Sequence, residues 1–75
     1  MNLERAEKKA RQFLEKKFAI KSESVVVNEV LTQGLSPLIQ VVVRGTFEVS
    51  GLKKSFELTF DSGWLCRMVG WRVKE

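Results

Sequence analysis

The stretch "VVVRGTFEVSGLKKSFELTF", residues 41–60, decides the fold because it specifies two strands and the turn that joins them. Apolar and polar residues alternate on both sides of Ser50 and Gly51, a pattern typical of half-buried strands joined by a two-residue turn. Such a turn sets Val49 opposite Leu52. Every residue farther from the turn then has a defined partner, so the register of this hairpin can be derived from the sequence.

The derived register brings apolar side chains together on one face of the hairpin and opposite charges together on the other. The pairs on the apolar face are Val43 with Leu58, Val41 with Phe60 and Gly45 with Phe56. The pairs on the polar face are Glu48 with Lys53, Thr46 with Ser55 and Arg44 with Glu57. A slip by one residue would mix the two sets. An aromatic ring lying across a strand glycine is itself a stabilising arrangement.

The segments on either side of this hairpin also have a period of two, so we predict four strands in all. Their expected positions are near 23–32, 38–49, 52–60 and 64–73,. Gly34 and Pro37 break the chain between the first two strands. "DSG" at 61–63 predicts a three-residue hairpin loop with Gly63 in the left-handed conformation. In the first strand, alternation places Val25 and Val27 on one face and Val26 and Val30 on the other.

The three-residue loop also sets an expected register for the last strand. The predicted core-side pairs are Phe60 with Trp64, Leu58 with Cys66 and Phe56 with Met68. Trp64 and Cys66 are therefore expected in the core, and we expect Cys66 to be unreactive toward thiol reagents. On the outer face, Arg67 is expected to form a row with Arg44 and Glu57. We interpret this row as a stabilising surface ladder, with an anion site between the two arginines as the alternative.

Strict alternation would leave four apolar side chains of the last strand on its outer face, namely Leu65, Val69, Trp71 and Val73. A glycine inside a strand often marks a bulge, and a bulge near Val69 and Gly70 would return Trp71 to the core. Val42 remains on the outer face in either case. Because exposed apolar patches indicate partners, the candidate interface residues are Val42, Leu65, Val69 and Trp71.

Residues 3–18 are predicted to form one amphipathic helix, with Asn2 as its N-cap,. Apolar residues recur there at spacings of three and four, at Leu3, Ala6, Ala10, Phe13, Leu14 and Phe18,. The net charge of +4 lies in this region, since residues 1–21 hold seven of the thirteen basic residues and three of the nine acidic ones. Acidic and basic side chains are roughly balanced on one side of the helix.

The other side of the helix has a basic flank without acidic neighbours. Candidate nucleic-acid contacts are Arg5, Lys9 and Lys16 on this flank, together with Lys17 and Lys21. Such a flank is typical of a solvated helix face, where long side chains cover apolar surface with their stems. The functional alternative is a ridge that contacts phosphates, which would supply affinity without reading sequence.

Composition excludes several classes of protein. A chain of 75 residues is expected to form one domain, 1–75, and its 44% hydrophobic and 29% charged content is ordinary for a globular domain,. No apolar run could span a bilayer, and the N-terminus has no signal-peptide pattern. One cysteine favours a reducing, cytoplasmic setting. The lack of histidine excludes histidine-based triads and metal sites, so we expect no enzyme, metal or cofactor.

The predicted elements run α-β-β-β-β, which indicates an α+β fold with one N-terminal helix packed across a four-stranded antiparallel meander. This order resembles the cystatin-like fold. "QVVVRGT" at 40–46 is similar to the cystatin Q-V-V-A-G-T motif, and "LCRMVGWRV" at 65–73 resembles the last strand of that family. The resemblance implies the fold class. It does not imply protease inhibition, because Gln40 lies inside a predicted strand and not in the first hairpin loop.

Two hypotheses for function follow. The first is a non-enzymatic interaction module that self-associates, or joins an assembly, through the outer face of the sheet or an edge strand. The partner would be a second copy or another protein. The alternative is nucleic-acid binding through the basic flank of the helix. This alternative lacks an open face of aromatic residues for stacking bases, because most aromatics are expected in the core.

Overall fold

The computed structural model describes residues 3–35 and 37–75 and has one helix followed by four antiparallel strands. The elements are helix α1 at Leu3–Phe18, a short 3-10 turn at Ser22–Ser24, and strands β1 at Val25–Gln33, β2 at Gln40–Val49, β3 at Leu52–Asp61 and β4 at Met68–Lys74. The strands lie in the order β1-β2-β3-β4. The predicted α+β fold class is confirmed. The N-cap predicted at Asn2 lies outside the described residues.

The central hairpin has the predicted register in full. Every pair derived above between β2 and β3 is present, from Val49 opposite Leu52 outward to Val41 opposite Phe60. Ser50 and Gly51 have φ values of 53° and 78°, which is the positive pair that a type I′ turn requires,. The twist of this turn matches the twist of the strands that it joins, so a two-residue turn is sufficient to fix the hairpin.

The core lies between α1 and one face of the sheet, which we call the helix face; the opposite face is the outer face. Ala6, Ala10 and Leu14 of the helix are fully buried. Small side chains at the first two positions allow the helix to approach the sheet closely. Across from them lie the buried sheet residues Val25, Val41, Val43, Phe47, Phe56, Leu58 and Phe60. These residues are the helix-face partners that alternation predicts, so the hydrophobic pattern accounts for the core.

Strand β1 contains a bulge that the sequence analysis did not predict. Val27 pairs with Gly45 and Glu29 with Arg44, so Asn28 is an extra residue. The bulge turns Val30 to the helix face, where it packs against the core. The prediction that Val30 lies on the outer face with Val26 is therefore wrong. Because the bulge shifts the alternation by one residue, the side chains that follow Asn28 lie on the faces opposite to those predicted.

The predicted register of the last strand is wrong, because β4 begins at Met68 and the loop before it spans residues 62–67. The observed helix-face pairs are Phe60 with Met68, Leu58 with Trp71 and Phe56 with Val73. Trp64 is therefore not a core residue; its side chain lies in the loop and is exposed. Gly63 does not have a positive φ, whereas Cys66 does, at 49°.

The side chain of Asp61 explains why the loop is wider than predicted. Its Oδ1 accepts hydrogen bonds from the backbone N–H of Gly63, at 3.0 Å, and of Arg67, at 3.3 Å. The backbone N–H of Asp61 in turn donates to the carbonyl oxygen of Arg67 at 2.9 Å. A carboxylate that satisfies two backbone donors stabilises a loop with few internal bonds of its own. Asp61 is thus a structural residue of this loop.

The bulge predicted in β4 is present and places Trp71 and Val73 on the helix face. Thr59 pairs with Gly70 and Phe60 with Met68, which leaves Val69 as the extra residue. Glu57 consequently faces Arg72, so the predicted row through Arg67 is wrong at its third position.

The first pair of that row, between Arg44 and Glu57, is confirmed. Their side chains form a hydrogen-bonded ion pair of 2.7 Å on the outer face. This hydrogen bond, followed by the charge of Glu57, raises the pKa of the Arg44 guanidinium above its ordinary value. Glu29, at 3.7 Å, adds a smaller effect in the same direction. The pair lies at the surface, so we interpret it as part of a ladder that supports the sheet.

Candidate functional site

Exposed apolar side chains collect on β4 and on the loop before it. Trp64 is 81% exposed, Leu65 40%, Val69 53% and Trp71 49%. These residues lie within residues 64–71, and β4 is an edge strand of the sheet. Three of the four candidate interface residues are therefore in one segment. They do not form the patch on the outer face that was predicted, since Leu65 is in the loop and Trp71 is on the helix face.

Val42 does not join this segment. It lies on the outer face between Leu31 and Thr59, its neighbours on the adjoining strands. Its side chain is only 1% exposed, so it offers no contact surface. As a candidate interface residue, Val42 is a wrong prediction, because the flanking side chains of the sheet cover it.

The loop at residues 62–67 is held by the helix. The guanidinium of Arg5 donates to the carbonyl oxygen of Trp64. The ammonium of Lys9 donates to the carbonyl oxygens of Leu65, at 2.6 Å, and Cys66, at 3.2 Å. Two of the five candidate nucleic-acid contacts thus satisfy backbone acceptors within the protein. Sequence reasoning missed this role, because the carbonyls belong to a loop that it did not predict.

A third of the five candidate nucleic-acid contacts, Lys17, packs against the aromatic residue Trp71 on β4. The ammonium of Lys17 lies 4.7 Å from the centre of the Trp71 ring, a cation–π contact,. The ring of Phe13 lies 5.8 Å from that of Trp71 on the same side. Lys16 and Lys21 are exposed. Three of the five candidates therefore have contacts within the protein, and nucleic-acid binding through the five stays a prediction.

Between the helix and β4 lies a depression of about 590 Å³, which we call the α1–β4 groove. Its apolar lining includes Phe13 from the helix and Phe60 and Met68 from the sheet, and its basic rim consists of Lys9, Lys16 and Arg67. Glu15 is the acidic residue of the lining. A basic rim around an apolar floor suits a ligand that is both apolar and anionic.

The sequence pattern did not predict that the residues lining this groove lie close together. The predicted register set Met68 opposite Phe56, whereas the observed register sets it opposite Phe60. One signal pointed to this edge: residues 62–74 contain Arg67, Arg72 and Lys74 and no acidic residue. Sequence reasoning assigned the basic surface to the helix alone and did not consider this segment.

The described part of the chain has neither a cluster of metal-binding side chains nor a helix that could span a membrane. Residues 3–35 and 37–75 contain no group of three or more Cys, Asp or Glu side chains that could hold a metal ion. Within the same ranges, no helix is both long and apolar enough to cross a membrane.

No family model, no curated protein and no solved structure matches this chain. Its function has to be inferred from its own surface.

The bonds between Lys9 and the loop lead to a prediction about Cys66, which is 6% exposed. We expect a thiol reagent to label native Cys66 slowly. The Lys9→Met variant should be labelled about tenfold faster, because it loses charge-assisted hydrogen bonds that hold the loop closed. The labelling rate under native conditions, with circular dichroism as a check of folding, measures the effect. Lys16→Met is the matched control and should label like the wild type. Rapid labelling of the wild type would show that Cys66 is accessible.

Proposed function

We propose that the protein is a small non-enzymatic interaction module that binds a protein partner along β4 and the loop before it. One observation carries the proposal: exposed Trp64, Leu65, Val69 and Trp71 lie together on the edge strand β4 and the loop before it. The outer backbone groups of an edge strand are available to a further strand. Exposed apolar residues beside such an edge are typical of a binding surface.

Burial of the exposed apolar side chains at this edge would contribute to the affinity for a partner. Removing apolar surface from water contributes about 25 cal/mol per Å², and fully burying one large apolar side chain contributes roughly 1.5–3 kcal/mol. Several such side chains together with backbone hydrogen bonds offset part of the association cost of roughly 4–15 kcal/mol. Aromatic residues are enriched at the centres of interfaces, and this segment contains both tryptophans of the chain,.

The remaining parts of the proposal come from the sequence. The chain contains no histidine, and we propose no catalytic role for it. The single cysteine favours a cytoplasmic setting. The likeness to the cystatin-like fold concerns only the order of the helix and strands, and we propose no protease inhibition from it.

The basic charge of this edge favours a partner other than a second copy of this chain. Residues 62–74 contain three basic residues and no acidic one. Pairing β4 with β4 of another copy would bring like charges together, which is unfavourable across strands. A partner with acidic residues is favoured on the same ground. Self-association stays a prediction, and sedimentation at high micromolar concentration measures it.

Site-specific crosslinking tests the proposed function. A photoreactive amino acid replaces Trp64 or Val69 in cells that make the protein, and Val26 or Leu52 in the matched controls. All four side chains are exposed and apolar, but the controls lie away from β4. We expect a discrete crosslinked protein from the first two positions and none from the controls. Equal crosslinking from all four positions, or none from any, would contradict the proposal.

A further inference from the structure

We propose that the partner is an extended acidic segment that adds to the free edge of β4 as a fifth strand and places apolar side chains toward the α1–β4 groove. The inference rests on the proposed function and names the chemistry of its partner. It follows from three features that lie at the same edge of the molecule: unpaired backbone groups, an apolar groove and a surplus of basic side chains.

The backbone of β4 supplies the first feature. Among the described residues, β4 pairs with β3 on one side and with no strand on the other. Alternate residues of an edge strand direct their N–H and C=O groups away from the sheet. An extended peptide can satisfy these groups by strand addition, which gives affinity without requiring a particular sequence. The bulge at Val69 interrupts the edge, so the regular part available to a partner follows it, from Gly70 to Lys74.

The α1–β4 groove supplies the second feature. Its volume of about 590 Å³ compares with about 310 Å³ for a depression beside Arg5 and Trp64. Phe60 is buried at the bottom, whereas Phe13 and Met68 are partly exposed and can gain contacts. Trp71 extends the apolar surface along β4 through its contact with Phe13. A strand added at this edge directs every second side chain to the helix face, where this apolar surface lies.

The distribution of charge supplies the third feature. Lys9, Lys16 and Arg67 surround the groove on the helix face. Arg72 and Lys74 lie on the outer face of β4, where they pair with Glu57 and Ser55. The outward-facing side chains of an added strand would meet these two cations. An added strand with acidic side chains toward Arg72 and Lys74 and apolar side chains toward the groove would therefore complement both faces of this edge.

A peptide of alternating pattern provides the direct test. The probe is a fluorescently labelled Glu-Val-Glu-Ile-Glu-Val-Glu peptide with blocked ends, and the matched control is Glu-Glu-Glu-Val-Ile-Val-Glu, which has the same composition without the alternation. Fluorescence anisotropy at low salt measures binding to the whole chain. We expect the alternating peptide to bind at least about tenfold more tightly than the control, because only it directs its apolar and acidic side chains to opposite faces.

Two further measurements separate strand addition from attraction between charges. N-methylation of the alternating peptide at its apolar residues, or at its internal acidic residues, removes N–H donors from one edge at a time. Only one of the two sets should weaken binding by about tenfold or more, since only one edge faces β4. Hydrogen exchange of the amides at residues 70–74 should slow when the unmodified peptide binds.

Variants of the protein locate the site. The Arg72→Glu/Lys74→Glu double variant should bind the alternating peptide about tenfold or more weakly, through the loss of the two cations that face its acidic side chains. The Lys8→Glu/Lys53→Glu variant carries the same net charge, with both changes outside β4 and the groove, and should bind like the wild type. Circular dichroism confirms that both variants are folded.

The outcomes distinguish the inference of an acidic fifth strand from the broader proposal of an interaction module. Selective binding that follows the alternation, the N-methylation pattern and the variants supports the acidic strand. Equal binding of both peptides, preference for an oligonucleotide of equal charge, or no peptide binding overturns it. If the acidic strand fails while crosslinking from positions 64 and 69 succeeds, the interaction module stands with a partner of other chemistry. If both experiments fail, the proposed function is wrong as well.

Discussion

Replacing Gly45 by alanine is expected to lower the free energy of unfolding by about 3 kcal/mol or more. A Cβ atom on Gly45 would lie 1.9 Å from the backbone oxygen of Val26 and 2.9 Å from two ring atoms of Phe56. The ring could rotate away, but the oxygen belongs to the neighbouring strand, so β1 and β2 would have to separate. Extra methylenes in a packed core cost about 1–3 kcal/mol, and a clash with backbone places this variant at or above that range.

A second glycine in the sheet is the control for this prediction. Gly70 also lies in a strand, but a Cβ atom there would meet nothing within 4 Å. Gly70→Ala should therefore keep the stability of the wild type to within about 1 kcal/mol. Unfolding by urea, followed by circular dichroism, compares the two variants. A Gly45→Ala midpoint equal to that of the wild type would show that the two strands are not as close as the structure has them.

The second large effect is expected for Phe47→Ala, which should lower the free energy of unfolding by about 3–5 kcal/mol. Phe47 is 1% exposed, and its ring lies 4.9 Å from that of Phe18 and 6.2 Å from that of Phe56. It therefore connects the end of the helix to the central hairpin. Domains of this size have a total stability of roughly 4–11 kcal/mol, so the loss would be a large share of it.

Trp64→Ala is the matched aromatic substitution and should change the free energy of unfolding by no more than about 0.5 kcal/mol. Trp64 is larger than Phe47, but most of its side chain is exposed. Urea titrations of both variants at the same temperature measure the contrast. A strongly destabilised Trp64→Ala protein would place Trp64 in the core and restore the register predicted from the three-residue loop.

The central hairpin could be predicted from the sequence because its constraints are local. The two-residue turn at Ser50 and Gly51 fixes the partner of every residue in β2 and β3,. The alternating pattern then assigns each side chain to a face. No residue outside the hairpin is needed for either step. The same argument holds for the helix, whose apolar spacing alone identifies the buried side.

The last strand could not be predicted because its start depends on contacts that are distant in sequence. The loop at residues 62–67 is set by the Asp61 side chain and by hydrogen bonds from Arg5 and Lys9 in the helix. A sequence pattern records neither the acceptor role of a carboxylate nor a donor nearly sixty residues away. The bulge near Gly70 could be predicted from one residue, and it gives the correct face for Trp71 even though the register before it was wrong. The prediction that Trp71 joins the core is wrong, because its side chain stays about half exposed.

Part of the candidate site was predictable from the local sequence. The excess of apolar residues in the predicted last strand pointed to Leu65, Val69 and Trp71, although the predicted register placed Leu65 and Trp71 wrongly on the outer face. The pattern could not show that Val42 is covered by its neighbours, nor that the helix contributes Phe13 and Lys16 to a groove beside β4. Both facts depend on which strands lie side by side and how closely the helix approaches them.

The positions of the two bulges have a consequence for behaviour at high concentration. Asn28 and Val69 interrupt β1 and β4, the two outer strands, whereas the pairing of β2 with β3 is regular throughout. A straight outer strand is a template on which identical molecules can stack into a fibril. Each irregular edge leaves only a short run for pairing, so edge-to-edge polymerisation of identical molecules is suppressed. Deleting Val69 would straighten that edge and should favour insoluble filaments.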